Sequence, residues 1–447
     1  MKVRRNARLL GSLVALAFAA TLQAADPGPT FTAVQLREDL IGIRAALRDM
    51  PPDLSHSTDV PALGRALDEL DTTLAASPAV TRAGAWRLFA TLNPVLADGH
   101  LFIGFVDWRG DTRAHLANGG TLFPFEMKVG ANCALHIRAQ LGGGETPLSG
   151  QTVVEINGVP ASDICEQMLA RVHGDTRAFR ADLASRRFWF FYWKLFGATQ
   201  KYRLDLGFKV ALEEPGSAAL PEQLVIEASF ERQFRLRLLP NRAALLTLGS
   251  FALPDKQPLL DFTHAAFAKL LAADTRTLVI DLRDNGGGDD VMWIEGVMPY
   301  LATRKFRTGT TYRKRVVASD PAKGEVAGSI VDGEIDSWFA QQPGNPLGFK
   351  GKTYVLVGPG TYSSAVLFAN VMRDFAFGTV IGSGGSVRAD QSGGARRTTL
   401  TNTGLIVVAP RFVLHRPSAK TQPTYLEPDI AMDDAMPAED IARRLAR

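Results

Sequence analysis

From Ala243 onward, short apolar runs alternate with helical patterns, and no other feature restricts the chain as strongly. Ala243–Leu248, Thr277–Leu282, Thr353–Val357 and Thr379–Ile381 have strand composition. Phe262–Leu271, Asp289–Leu301 and Ser364–Phe377 carry apolar residues at helical spacing. Strand and helix in alternation imply parallel βαβ units, because a parallel neighbour is reached only by a crossover. The expected fold class is mixed α/β. Ligands in such sheets sit beyond the carboxyl ends of the strands.

Two glycine loops fall at those ends. The first, D-L-R-D-N-G-G-G-D-D at Asp281–Asp290, leaves backbone N–H groups open to approach, which suits an oxyanion or a phosphate. It spells neither G-x-x-x-x-G-K-[ST] nor G-x-G-x-x-G, so the oxyanion is preferred. The second, G-P-G-T-Y-S-S-A-V-L-F at Gly358–Phe368, puts Ser363 on a turn and the N–H of Ser364 at a helix start. A nucleophile there gains from the free N–H groups and the helix dipole. The plain alternative for either serine is a helix N-cap.

Upstream, Val34 to Leu96 reads as a helical segment, closing at A-D-G-H, Ala97–His100, before a strand-like Leu101–Phe105. From Thr121 to about Arg171 the chain is β-rich. G-Q-T-V-V-E-I-N-G-V-P at Gly150–Pro160 predicts a strand, an Asn-Gly turn and a helix from Ala161. Tyr202–Val210 and Leu224–Phe230 alternate as strands. The aromatic and arginine-rich Phe179–Phe196 is expected in the core or at a domain interface.

The first loop, the second with its continuation A-N-V-M-R-D-F, the Gly150–Pro160 stretch and Y-L-E-P-D-I at Tyr425–Ile430 together resemble the C-terminal processing (tail-specific) serine peptidases. The resemblance covers most of the chain and is strongest after Ala243. It implies Ser363 as nucleophile, with the N–H groups of Ser364 and Gly287 as oxyanion donors. The helix aspartate of many relatives falls on Asp374. Eleven residues of helix span about 16 Å, which points Asp374 to capping or packing.

The resemblance also exposes a departure. Where the bacterial processing peptidases place a lysine base, G-S-G-G-S-V-R-A-D-Q has Arg388. A guanidinium stays protonated and cannot accept the serine proton. Its planar fork makes Arg388 a candidate for binding a substrate carboxylate; a solvated loop arginine is the alternative. A second branch, similar to the tricorn core, takes its base from a histidine in an L-x-D-G-H-T-like motif, and L-A-D-G-H-L at Leu96–Leu101 matches it. His100 is thereby the candidate general base, against a histidine merely satisfied by backbone at a turn. Asp98 and Glu427 are two acids near these motifs, neither with a settled orienting role.

The resulting organisation is a signal peptide at 1–24, an N-terminal helical segment at 25–115, a PDZ-like domain at 116–175 and an α/β serine peptidase core at 176–447. Lys2, Arg4, Arg5 and Arg8 precede the apolar Leu9–Ala20, which reads as export to the periplasm or the medium. Those four basic residues account for the whole formal charge of +4, so no basic patch argues for nucleic acid. No later apolar run is long enough to span a bilayer. No cofactor or metal is expected, the histidines lacking ligand spacing. Cys133 and Cys165 allow either one disulfide or two buried thiols. The expected activity is cleavage of peptide or unfolded protein. The rivals are a peptide-binding protein of the same fold without catalysis, and a Ser-His esterase or other acyl hydrolase.

Overall fold

In the computed structural model, residues 28–446 are described apart from 208–210, 341, 343 and 434, so the expected signal at 1–24 lies outside the described residues. The alternation after Ala243 closes into a six-stranded sheet. Its order is Phe234–Leu239, Ala243–Leu248, Thr277–Asp281, Lys352–Val357, Thr379–Gly382 and Ile430–Ala431. The first strand is antiparallel to the second, and every later pair is parallel. One face packs Leu245, Val279, Leu356 and Ile381 under the C-terminal helix Ala438–Leu445. The other packs Leu246, Ile280 and Val355 into the main core with residues of Gln257–Ala272 and Ser364–Asp374. Cover on both faces is why these strands read as unbroken apolar runs.

The helix expected over Asp289–Leu301 is two, Val291–Gly296 and Met298–Leu301. Pro299 in the first turn of the second lacks the N–H that would continue the ladder. Leu224–Phe230, expected as a strand, lies across the helices Glu222–Glu227 and Phe230–Gln233. Pro221 sets the entry, Glu222 occupies the positive first turn, and only Leu224 of the first helix is fully buried, so alternation on a sheet face is not required there. The aromatic stretch forms the helices Arg177–Arg186 and Phe188–Phe196, with Phe188, Trp189, Phe190 and Phe191 buried.

The N-terminal helices Ala33–Asp49, Val60–Ala75 and Arg82–Phe89 start at Thr32, Asp59 and Thr81, each side chain accepting from a first-turn N–H. They deliver the strand Phe102–Gly104, which pairs antiparallel with Ile406–Ala409 of the core. That pairing carries Asp98–His100 to the carboxyl end of the parallel sheet. In the middle of the chain, Asn157 and Gly158 turn the hairpin Glu155–Ile156/Val159–Pro160 with φ of 54° and 76°. Glu155–Ile156 also pairs with Lys201–Asp205. Strand pairing therefore crosses the boundary expected after residue 175. Cys133 and Cys165 form a disulfide, which resolves the two options left by the sequence.

Candidate active site

Ser363 ends the turn that follows strand Lys352–Val357 and precedes helix Ser364–Asp374. Thr361 Oγ1 donates to Leu282 O (2.8 Å) and Tyr362 N to Asn285 O (3.0 Å), so the two glycine loops are tied together. Ser363 is held at φ 53°, ψ −126°, a conformation ordinarily left to glycine, and its hydroxyl makes no capping bond. The N-cap alternative thus fails for Ser363. Its Oγ stands half-buried at the positive end of an eleven-residue helix.

Gly287 lies directly against this turn. A Cβ built on it would be 2.6 Å from Ser363 Cβ and 2.8 Å from Ser364 N, so no side chain fits. Its N–H, expected as an oxyanion donor, is instead given to Asn285 Oδ1 at 2.8 Å. Among the described residues the N–H groups of Ser364, Gly286 and Gly288 have no acceptor. The Ser364 hydroxyl is fully used, accepting from Trp293 Nε1 (2.9 Å) and donating to Asp290.

His100 and Asp98 sit on the turn before strand Phe102–Gly104. Asp98 is buried, and its Oδ1 accepts from the backbone N–H of His100 (2.6 Å) and from Ser392 Oγ (3.0 Å). Ser392 Oγ is also 3.1 Å from His100 Nδ1. A hydroxyl has one proton, and an ionised carboxylate only accepts. With that proton on the Asp98 bond, Ser392 must accept from His100 Nδ1–H, which leaves Nε2 as the basic nitrogen. Burial pushes the His100 pKa down, partly offset by Asp98, and so favours the neutral ring.

Tyr362 and Asp175 complete the cluster, and neither was singled out in the sequence. Tyr362 OH is 2.9 Å from Asp175 Oδ1 and accepts from Gly99 N at 2.9 Å. Burial, then the neighbouring Asp98, pushes the Asp175 carboxyl upward. The rings of Tyr362 and His100 are 4.9 Å apart. Gln391 Oε1 accepts from Ser363 N at 2.9 Å, so adjacent residues of one strand touch Ser363 and His100. Among the described residues no hydrogen bond joins Ser363 Oγ to His100. Ser392 is 292 residues from His100 and bears no local signal.

Arg388 differs from its expectation. It is neither a free fork nor a solvated loop residue. Its side chain is 11% exposed, donating to Ala97 O (2.6 Å) and Ser57 O (3.3 Å), with Asp175 at 3.7 Å. Those acceptors hold the N-terminal segment to the core. Asp374 accepts from Ser418 N at 3.0 Å, a packing role, and Glu427 is exposed. No group of residues suited to a metal occurs among the described residues.

Residues 243–432 match the model of peptidase family S41, which spans both glycine loops and the turn at Ser363. The crystal structure of a serine-to-alanine CPAF mutant superposes with a TM-score of 0.64 at 12% identity, over 92% of this chain and 95% of that one. Mature CPAF complexed with lactacystin gives 0.60 at 12% identity, over 89% and 94%. At that identity the shared property is the fold. No curated protein matches the chain at the sequence level. The family-model match, over somewhat less than half of the chain, and the shared fold support a serine-type peptidase related to family S41.

Proposed function

We propose that the protein is an exported peptidase in which Ser363 attacks the scissile carbonyl of a peptide and His100 is the general base, as in the tricorn-like branch. Ser363 Oγ–H passes its proton to His100 Nε2 as the C–O bond forms. The negative charge on the carbonyl oxygen is met by the N–H of Ser364 and one from Gly286 or Gly288. The C–N bond then breaks, the imidazolium returns its proton to the leaving amine, and water releases the acyl group by the same steps. The PDZ-like reading of the middle region implies peptide capture by strand addition. Leu212–Pro215, an edge strand of its sheet, is a suitable partner.

The observation that carries this reading is the backbone of Ser363, held in a glycine-like conformation with its hydroxyl kept out of the helix cap. Export is supported by the basic and apolar start of the sequence and by the Cys133–Cys165 disulfide, since such bonds persist in oxidising compartments. No helix among the described residues is long and apolar enough to cross a membrane. The rival reading, a peptide binder without catalysis, draws on Arg388 in the lysine position and on the unmade Ser363–His100 bond. Catalytic hydrogen bonds commonly tighten only around substrate.

Labelling with a fluorophosphonate separates the two. We expect labelling of wild type, its loss in Ser363→Ala, its retention in Ser364→Ala and a strong reduction in His100→Ala. Folded wild-type protein that resists the probe from pH 6 to 9 would establish the binder instead.

A further inference from the structure

A cavity of about 600 Å³ opens beside His100, where the N-terminal segment, the aromatic helix Phe188–Phe196 and the core meet. Its size is that of small-ligand sites. Trp108, Phe190, Phe191 and Phe102 supply aromatic walls, and His173 stacks on Phe102 with ring centroids 3.8 Å apart. Burial, then the charge of Arg187, pushes the His173 pKa down to about 3, so the ring is neutral. Its nitrogens have no hydrogen-bond partner among the described residues.

The charge in this cavity does not balance. The Arg187 guanidinium lies 4.2 Å from the Trp108 ring and donates from Nε to Gln223 Oε1 at 3.2 Å. The nearby carboxylate, Glu227, is held by both nitrogens of another fork, Arg109, at 2.7 and 2.9 Å. One carboxylate therefore serves two guanidiniums. Among the described residues Arg187 has no ion pair, and its terminal nitrogens have no acceptor. The acid lining the cavity, Asp107, accepts from Gly110 N at 2.8 Å as a helix cap. Arg171, also in the wall, is spent on the carbonyls of Arg87 and Gln167. An uncompensated guanidinium in such a place is costly unless something anionic joins it.

We infer that this cavity is a substrate subsite for a carboxylate carried next to an apolar side chain, with Arg187 clamping the carboxylate, the aromatic walls taking the apolar body and His100 in the wall. The inference rests on the reading of His100 as the base of a peptidase. The carboxylate has two chemical sources, a free peptide C-terminus or an acidic side chain.

Calorimetry on the Ser363→Ala protein distinguishes them. The probes are an acetylated tripeptide ending in phenylalanine with a free carboxylate, its C-terminal amide, and two amides with Glu or Gln before the phenylalanine. We expect one of the two acids to bind at least about tenfold tighter than its neutral partner, the scale of one charge-assisted pair. The acid that gains names the source. Adding Arg187→Gln abolishes that preference. Arg187→Lys, which keeps the charge but loses the fork, reduces it and serves if the first variant does not fold. Equal binding of acids and amides, a preference that survives both substitutions, or no binding of any probe overturns the subsite. Fluorophosphonate labelling of protein with Ser363 intact keeps the two readings apart. Labelling without acid preference sinks the subsite alone, and acid preference without labelling sinks the peptidase mechanism alone.

Discussion

His100 Nδ1 and Asp98 Oδ1 are 4.0 Å apart, and the hydroxyl of Ser392 bridges them. The buried carboxylate reaches the histidine ring through a third residue, from a distant part of the chain. Ser392→Ala removes the acceptor for Nδ1–H and frees the ring to adopt the wrong tautomer. We expect kcat to fall about tenfold to a hundredfold, up to the lower end of the roughly 10²–10⁴-fold that a general base supplies, since the base itself stays in place. We also expect the acidic limb of kcat/KM to move down as His100 loses its link to Asp98. Ser392→Thr, which keeps the hydroxyl, should restore both. A wild-type profile in Ser392→Ala would remove Ser392 from the mechanism.

His100, His56 and His173 are all held below the ordinary histidine value, chiefly by burial. Below about pH 6.5 the unfolded chain binds protons that the folded protein refuses, so stability falls as pH falls through that value. Asp175, raised to about 6 by burial, works in the opposite direction from about pH 6 downward, equally in wild type and variant. For His173, with its folded value at about 3, the loss between pH 6.5 and 5 is about 1–2 kcal/mol. Denaturation melts across pH 5–7 should show a shallower dependence in His173→Asn than in wild type. Parallel curves would refute the assignment.

The Ser363 backbone is strained for any residue with a Cβ. Ser363→Gly should therefore unfold at higher denaturant concentration, by about 1 kcal/mol, while all labelling is lost. Ser363→Ala, which keeps the Cβ, should not show the gain. Equal stability of the Gly and Ala variants would mean that the turn stores no strain.

Arg388 stands where the resemblance to the processing peptidases implies a lysine, yet exchange for lysine should not install a working base. Its guanidinium is bound to Ala97 O and Ser57 O beside the buried Asp175. Arg388→Met leaves two carbonyls and a carboxylate without their cation, at a cost of about 2–4 kcal/mol. Chemical denaturation measures it, and a change under 0.5 kcal/mol, about the size of a neutral surface substitution, would show that the cluster is not structural.

The Cys133–Cys165 bond closes a 32-residue separation between the turn before strand Leu135–Gln140 and helix Ala161–Leu169. Loop-closure entropy assigns it about 3–4 kcal/mol. Double substitution to serine, or reduction, should lower the melting temperature by several degrees. An unchanged melt would show that the bond adds nothing to the fold.

Where the sequence was read correctly, the physical cause is local. Ala243–Leu248, Thr277–Asp281 and Lys352–Val357 are covered on both faces, so each is a continuous apolar run whose strand state is visible without its neighbours. The break at Pro299 was missed although its cause is local. The Leu224 helix was missed because six residues cannot display a helical period.

The sequence by itself determined the parallel α/β core, the two glycine loops and the placing of Ser363 at a strand-to-helix turn, because turn chemistry and burial on both faces act over a few residues. Only the tertiary structure decided that Ser392 bridges His100 to Asp98, that Gly287 gives its N–H to Asn285, that Arg388 is buried on carbonyls and that Arg187 is left without a carboxylate. All but the Gly287–Asn285 bond, which joins residues two apart, depend on which distant donor meets which acceptor. That pairing is set by strand register, as where Phe102–Gly104 joins Ile406–Ala409 across about three hundred residues, and register leaves no mark in local composition.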